Sequence, residues 1–159
     1  MKKLLVLLAV FAVSCGTSKT VRTSKKVIKG GWTLTDVTYS KQGGFTVNLL
    51  SDAGTDCFES SNWNFIPNNN SGTYTLSGTG CDGAERNFRF TIAEIDAETG
   101  YYDFLLKPTN AKGKSETNNS GFRLHLDQLS ETNMRWSQTV DVVGTPLTIY
   151  MNFIKNNEP

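Results

Sequence analysis

Three cysteines carry most of the chemistry that residue type and spacing suggest in this 159-residue chain. Cys15 follows Lys2-Lys3, the apolar run Leu4 to Val13, and Ser14. Two cations, an apolar stretch and a small residue before the cysteine have the composition of an export signal. The run falls short of the roughly 20 apolar residues that a bilayer span needs. Cys57 and Cys81 then lie in an exported domain, where disulfides persist. They are expected to form one bridge, closing a loop of about 25 residues worth roughly 3.5 kcal/mol on the chain-entropy account.

Other reactive combinations are sparse. The single histidine, His125, does not form a convincing triad with any identified serine. Neither a Gly-rich phosphate loop nor a cluster of metal-ligand spacing is present in the sequence. Asp52, Asp56 and Glu59 could approach a calcium ion, but their spacing does not follow the EF-hand loop, and solvated loop acids are expected instead. The reading is of a chain that is not an enzyme and carries no metal or other cofactor.

Charge is unevenly divided. Residues 16–29 hold five Lys or Arg and no acid, whereas residues 30–159 hold nine Lys or Arg against fifteen Asp or Glu. Residues 15–29, rich in Ser, Thr and Lys, read as a flexible tether. Its cations would be drawn to anionic lipid, although a plain solvated spacer has the same composition. The acidic body argues against nucleic-acid binding.

From residue 30 onward the chain alternates apolar and polar residues in short runs between turn signals, the pattern of half-buried strands. Eight strands are predicted: Gly31 to Tyr39, Asn62 to Ile66, Thr73 to Ser77, Asn87 to Ile95, Tyr101 to Lys107, Gly121 to Leu129, Met134 to Val140 and Leu147 to Ile154. Lys41 to Ser61 reads as an irregular segment or short helical turn, and Pro108 to Ser120 as a polar, mobile loop. Eight consecutive strands with mostly short connections suit an up-and-down antiparallel β-barrel, because closure removes exposed sheet edges. The fold class is therefore all-β, over a single domain of residues 30–159.

Parity assigns the barrel lining. Trp32, Leu34, Trp63, Phe65, Tyr74, Leu76, Phe88, Phe90, Ile92, Phe104, Leu106, Phe122, Leu124, Leu126, Met134, Trp136, Ile149, Met151 and Phe153 face inward. Arg89, Arg123, Arg135 and His125 fall on the opposite face, so no cation is expected inside to pair with a carboxylate head group. A barrel of eight strands is either filled by side chains or holds one small ligand. A neutral, apolar or aromatic ligand would fit such a lining, with Tyr74 and the indole N–H groups as polar contacts.

Two resemblances sharpen these expectations. Ala12-Val13-Ser14-Cys15 resembles the lipobox of bacterial lipoproteins, with Ala12 where a larger aliphatic residue is usual. It implies removal of residues 1–14 as a signal peptide and acylation of Cys15, by palmitate-type chains, as a membrane anchor. Gly16 after the cysteine resembles the sorting pattern for the outer membrane, and the absence of an acidic run beyond it implies a domain facing the periplasm. The second resemblance is to the lipocalin superfamily, and within it to lipocalin-like lipoproteins of Bacteroidetes-type bacteria. It rests on Gly30-Gly31-Trp32, the long first connection Ser40 to Ser61, and the eight-strand count. Lipocalins commonly place an Arg over that Trp from the end of the barrel; the final strand here offers Lys155. The family's Thr-Asp-Tyr type motif is replaced by Ser130-Glu131-Thr132-Asn133. The resemblance implies a monomeric carrier of a small hydrophobic ligand. The alternative is an envelope scaffold whose barrel is fully packed and whose loops contact a protein.

Overall fold

The computed structural model describes residues 19–92 and 102–157. The leader, Cys15 and the end of the predicted fourth strand, 93–95, lie outside the described residues. Twelve elements follow in order: α1 (Lys19–Ile28), β1 (Gly30–Tyr39), β2 (Asn48–Leu49), β3 (Ala53–Gly54), α2 (Thr55–Phe58), β4 (Asn62–Ile66), β5 (Ser71–Thr75), β6 (Glu85–Ile92), β7 (Asp103–Thr109), β8 (Phe122–Leu129), β9 (Asn133–Val142) and β10 (Thr145–Lys155).

Eight of the strands close an antiparallel barrel in the order β1-β10-β9-β8-β7-β6-β5-β4, while β2 and β3 form a separate two-stranded ribbon. Each barrel strand pairs with its neighbours in sequence, and β1 closes the ring by pairing with both β4 and β10. Alternation is the cause. On β4 the burial runs exposed, buried, exposed, buried, exposed, and Trp63 and Phe65 are the buried members. Burying one face of every strand leaves a closed ring as the arrangement without open edges.

Two irregularities adjust the register. β1 slips between Leu34 and Asp36 against β10, and β8 slips between Leu126 and Gln128 against β9. Such bulges could in principle turn a cation inward. Arg89, Arg123, Arg135 and His125 all remain exposed on the outer wall, as parity requires.

The helix-capped end of the barrel differs from expectation. The segment predicted as a flexible tether forms α1 from Lys19 onward, docked across the opening. Its residues Thr20, Val21, Thr23, Val27 and Ile28 are β-branched and give little intrinsic helicity, and ten residues are too few for a stable isolated helix. Docking supplies the stability. Ile28 is fully buried, Ser24 is buried, and Val21 is half-buried on the same face. The Trp32 indole donates to the Ile28 carbonyl at 2.8 Å. Lys155 donates to the Val27 carbonyl at 2.5 Å, with its ammonium 5.0 Å from the centre of the Trp32 ring. Lys155, noted in the sequence where the lipocalin resemblance would place an arginine, thus stands over Trp32. Lys25 reaches back to Asn70 Oδ1 at 2.7 Å, tying the helix to the β4–β5 turn.

The turn at Pro67 to Asn70 leads into Gly72, where the absence of a side chain leaves room for Phe88. A Cβ at Gly72 would lie 2.3 Å from Phe88 Cζ and 2.5 Å from the Asn64 carbonyl oxygen. Gly72→Ala should therefore force Phe88 from its place and cost about 3 kcal/mol, at the upper end of ordinary overpacking. Chemical denaturation checks this, and a midpoint equal to that of the parent chain would contradict the packing described.

Candidate functional site

The predicted barrel lining comes together in one core. Trp32, Leu34, Trp63, Phe65, Tyr74, Phe88, Phe90, Phe104, Leu124, Met134, Trp136, Ile149 and Met151 are all buried, as are Leu76, Leu106, Leu126 and Phe153. Phe122 and Ile92 are half-buried at the rims. Trp32 belongs to the plug beneath α1, where its ring meets Lys155.

The rings touch across the lumen. Trp63 on β4 lies 5.6 Å from Trp136 on β9 and 5.7 Å from Phe153 on β10, centre to centre and edge-on in both cases. Phe65, also on β4, reaches Trp136 at 5.7 Å and Phe104 on β7 at 6.2 Å. Phe104 stacks on Phe90 at 4.7 Å and on Trp136 at 5.2 Å. Strands three places apart in the wall therefore meet through their side chains. Aromatic pairs at these distances and angles are in van der Waals contact, so the middle of the barrel is filled by its own residues. Trp63 donates to the buried Ser61 Oγ at 2.9 Å. The Trp136 indole N–H is buried and finds no hydrogen-bond partner among the described residues.

The opposite end is closed by the long first connection. Leu49, Leu50 and Phe58 are buried there, and Phe58 packs 5.6 Å from Tyr74 and 6.3 Å from Trp63. The β2–β3 ribbon turns through Leu50 and Ser51, both left-handed at φ 52° and 54°, with Asp52 N donating to the Leu49 carbonyl at 2.9 Å. Tight ribbon turns that require two positive φ values favour Asn-Gly or Gly-Gly. Leucine there is strained, and the conformation places its side chain in the barrel mouth. The Cys57–Cys81 disulfide, with Cα atoms 5.7 Å apart, ties this connection to the loop after β5.

Asp52 joins the closure to the wall. Its Oδ2 accepts from the Tyr74 hydroxyl at 2.8 Å and from Arg86 Nε at 2.6 Å. Arg86 Nη1 donates to the carbonyls of Asp82 at 2.9 Å and Ala84 at 2.7 Å. Burial, and then the bond to Asp52, hold the Tyr74 phenol well above its ordinary range. The expectation that no cation stands on the inward face needs correction. Arg86 shares the parity of Phe88 and Phe90, and it sits at the mouth with its side chain only 22% exposed. The sequence signal was that spacing. The three loop acids are not gathered: Asp52 holds Tyr74 and Arg86, Glu59 accepts from Val37 N at 3.1 Å, and Asp56 lies in the first turn of α2. Among the described residues no group of three His, Cys, Asp or Glu side chains is placed to hold a metal ion. A cleft of about 480 Å³ opens beside this network, between Arg86 and the β7–β8 loop.

That loop was expected to be mobile. It begins after Thr109, since Pro108 and Thr109 belong to β7, and it carries its own bonds. Asn110 Oδ1 accepts from Lys112 N and Lys114 N, both at 3.0 Å, and Ser115 Oγ accepts from Asn119 N at 2.9 Å.

The outer wall of β7, β8 and β9 carries a ladder of charges. Asp103 accepts from Arg123 at 2.5 Å and lies 3.0 Å from His125 Nδ1, while Asp127 lies 3.4 Å from Arg135 Nε. The hydrogen bond from His125, with Arg123 assisting, holds the Asp103 carboxyl below its usual range. A depressed carboxyl stabilises the fold above its unfolded pKa, about 3.9, and that contribution is lost as pH falls through the lower folded value. Asp103→Asn should therefore flatten the fall in stability below about pH 4. An unchanged acid limb in pH-dependent denaturation would contradict the pairing.

No family model matches the chain, and no curated protein matches it.

Proposed function

We propose that this chain is a lipid-anchored, non-enzymatic scaffold of the bacterial cell envelope, built on a packed barrel of lipocalin-like form. The observation that carries the reading is the contact of aromatic rings across the lumen. A rigid filled barrel presents its wall and its mouth loops to other envelope components. It is proposed as a monomer on the outer membrane, facing the periplasm. The anchoring half rests on Cys15 and its leader, as the lipobox resemblance implies.

Helix α1 gives the anchor an orientation. Only four peptide units separate Cys15 from Lys19, a reach of at most about 14 Å. The helix-capped end of the barrel is then held at the membrane, and the disulfide-tied mouth points away. Lys19, Arg22 and Lys26 recur at helical spacing on the exposed face of α1, followed by exposed Lys29. Basic residues beside a bilayer contribute about 1 kcal/mol each with anionic lipid, which adds to the acyl anchor.

Labelling with a clickable palmitate analogue, followed by membrane fractionation, tests the reading. The wild-type chain should carry the label and partition with the outer membrane, and Cys15→Ser should do neither. Unlabelled wild-type chain in the soluble fraction would overturn the anchor. A second reading, a carrier for a small hydrophobic ligand, has one observation in its favour. The Trp136 indole N–H, without a partner among the described residues, is a buried donor that a ligand acceptor would satisfy.

A further inference from the structure

We infer that the outer wall over β6, β7 and β8 is a binding site for a phosphoryl group, formed by Arg89 and Lys107 with Arg123 beside them. The register sets it out in two rows. Arg89 and Lys107 are direct cross-strand partners, and the next row runs Thr91, Leu105, Arg123. Like charges directly opposite on a sheet face, with Cβ atoms about 5 Å apart, destabilise the pair. Residues 30–159 hold fifteen acids that could have relieved this. Among the described residues none does so for either cation. Arg89 Nη1 donates to the Asn69 carbonyl at 2.6 Å, and Lys107 Nζ donates to Asn119 Oδ1 at 3.3 Å. Both partners are neutral.

The space beside these cations is open and shaped. A cleft of about 550 Å³ lies over the two rows, beneath the β7–β8 loop. Gly121 follows Lys107 across the strands with no side chain to fill the row, and a Cβ there would press on the Leu106 carbonyl oxygen at 2.9 Å. Gly113, left-handed at φ 71°, brings the loop over the Arg89 guanidinium, where a Cβ would lie 3.0 Å from Nη2. Arg123, at the edge of the cleft, is engaged by Asp103. Leu105, 37% exposed, and half-buried Phe122 give the floor an apolar strip. Two cations without an acidic partner among the described residues suit a dianion: a guanidinium supplies a planar fork and an ammonium a point charge. The apolar strip suits a ligand whose phosphate is attached to a carbon skeleton, whether a lipid or a soluble phosphorylated compound. The site does not depend on the N-terminal lipid.

The test is titration calorimetry of the purified full chain in nonionic detergent, at fixed ionic strength. The probes are inorganic pyrophosphate and, below its critical micelle concentration, dihexanoyl phosphatidic acid, a lipid phosphomonoester. Saturable 1:1 binding is expected for at least one probe. Hydrogen bonds to charged groups are strong enough that Arg89→Gln/Lys107→Gln should weaken it about tenfold or more. Arg135→Gln, remote from the cleft, should not. Saturation by the lipid alone assigns a lipid headgroup, and saturation by pyrophosphate alone assigns a soluble phosphate. The double variant should denature no earlier than the wild-type chain, because it removes a like-charge pair. If it fails to fold, Lys107→Gln alone carries the comparison. Binding of neither probe, or equal binding by the charge-removed variant, overturns the inference.

Discussion

Trp63→Ala is expected to cost about 3–5 kcal/mol of folding stability, the range for a buried aromatic truncated to alanine. A domain of this size holds about 5–15 kcal/mol in total, so the variant stands at the edge of unfolding. Trp63 is the centre of the barrel's ring contacts. Its ring stacks on Tyr74 at 4.6 Å, meets Phe88 at 5.7 Å, and lies edge-on to Trp136 and Phe153. Phe65, beside it on β4, packs nearly parallel at 6.3 Å. Truncation leaves these neighbours facing a void and strips the buried Ser61 Oγ of its donor. The closed ring of hydrogen-bonded strands limits how far the wall can collapse into that void. Urea denaturation of the two chains measures the loss. A change under 1 kcal/mol would mean that the lumen is loosely filled and the ring contacts carry little energy.

The second large effect belongs to the disulfide. Cys57→Ser/Cys81→Ser should lose roughly 3.5 kcal/mol, because the bridge closes a loop of about 25 residues in the unfolded chain. The loss should fall first on the mouth. Cys57 follows the strained ribbon turn and precedes buried Phe58, so the bridge holds the long first connection against β4 and β5. The Ser77 N–H still donates to the Cys57 carbonyl at 3.0 Å, but one backbone bond is a weak substitute. Hydrogen exchange should show residues 48–58 opening before the barrel strands. Denaturation with and without reductant makes the control. The parent chain should weaken on reduction to the level of the variant, and the variant should not respond. Equal stability of oxidised and reduced parent chains would contradict the assigned role.

The barrel was legible in the sequence because alternation is a two-residue period and each strand carries it separately. Phe88 and Phe90 on β6, and Leu124 and Leu126 on β8, mark their faces without help from the rest of the fold. The cysteine pair was legible from the expectation of an exported domain, and the structure joins Cys57 to Cys81. What was missed depends on distant partners. α1 has a composition that disfavours helix, and it exists because Ile28 and Ser24 find the open barrel end and Trp32 finds the Ile28 carbonyl. Arg86 had inward parity, yet a cation at that position makes sense only once a loop 34 residues earlier delivers Asp52. The turn at Leu50 and Ser51 lacks the glycine or asparagine by which such a turn is read. The outer-wall pairing of Arg89 with Lys107 needs the register between β6 and β7, which parity alone does not give.

The filled lumen is tested most directly by titrating the purified chain with N-phenyl-1-naphthylamine, a neutral apolar fluorophore excited by energy transfer from tryptophan. All three tryptophans are buried in the barrel, so a molecule entering the lumen would quench them. The packed barrel predicts no saturable transfer in the wild-type chain. It predicts a gain of binding in Trp63→Ala held folded at low temperature, since dry apolar cavities of that kind accept small aromatic molecules. Stoichiometric quenching of the wild-type chain at micromolar probe would contradict the scaffold and establish a carrier.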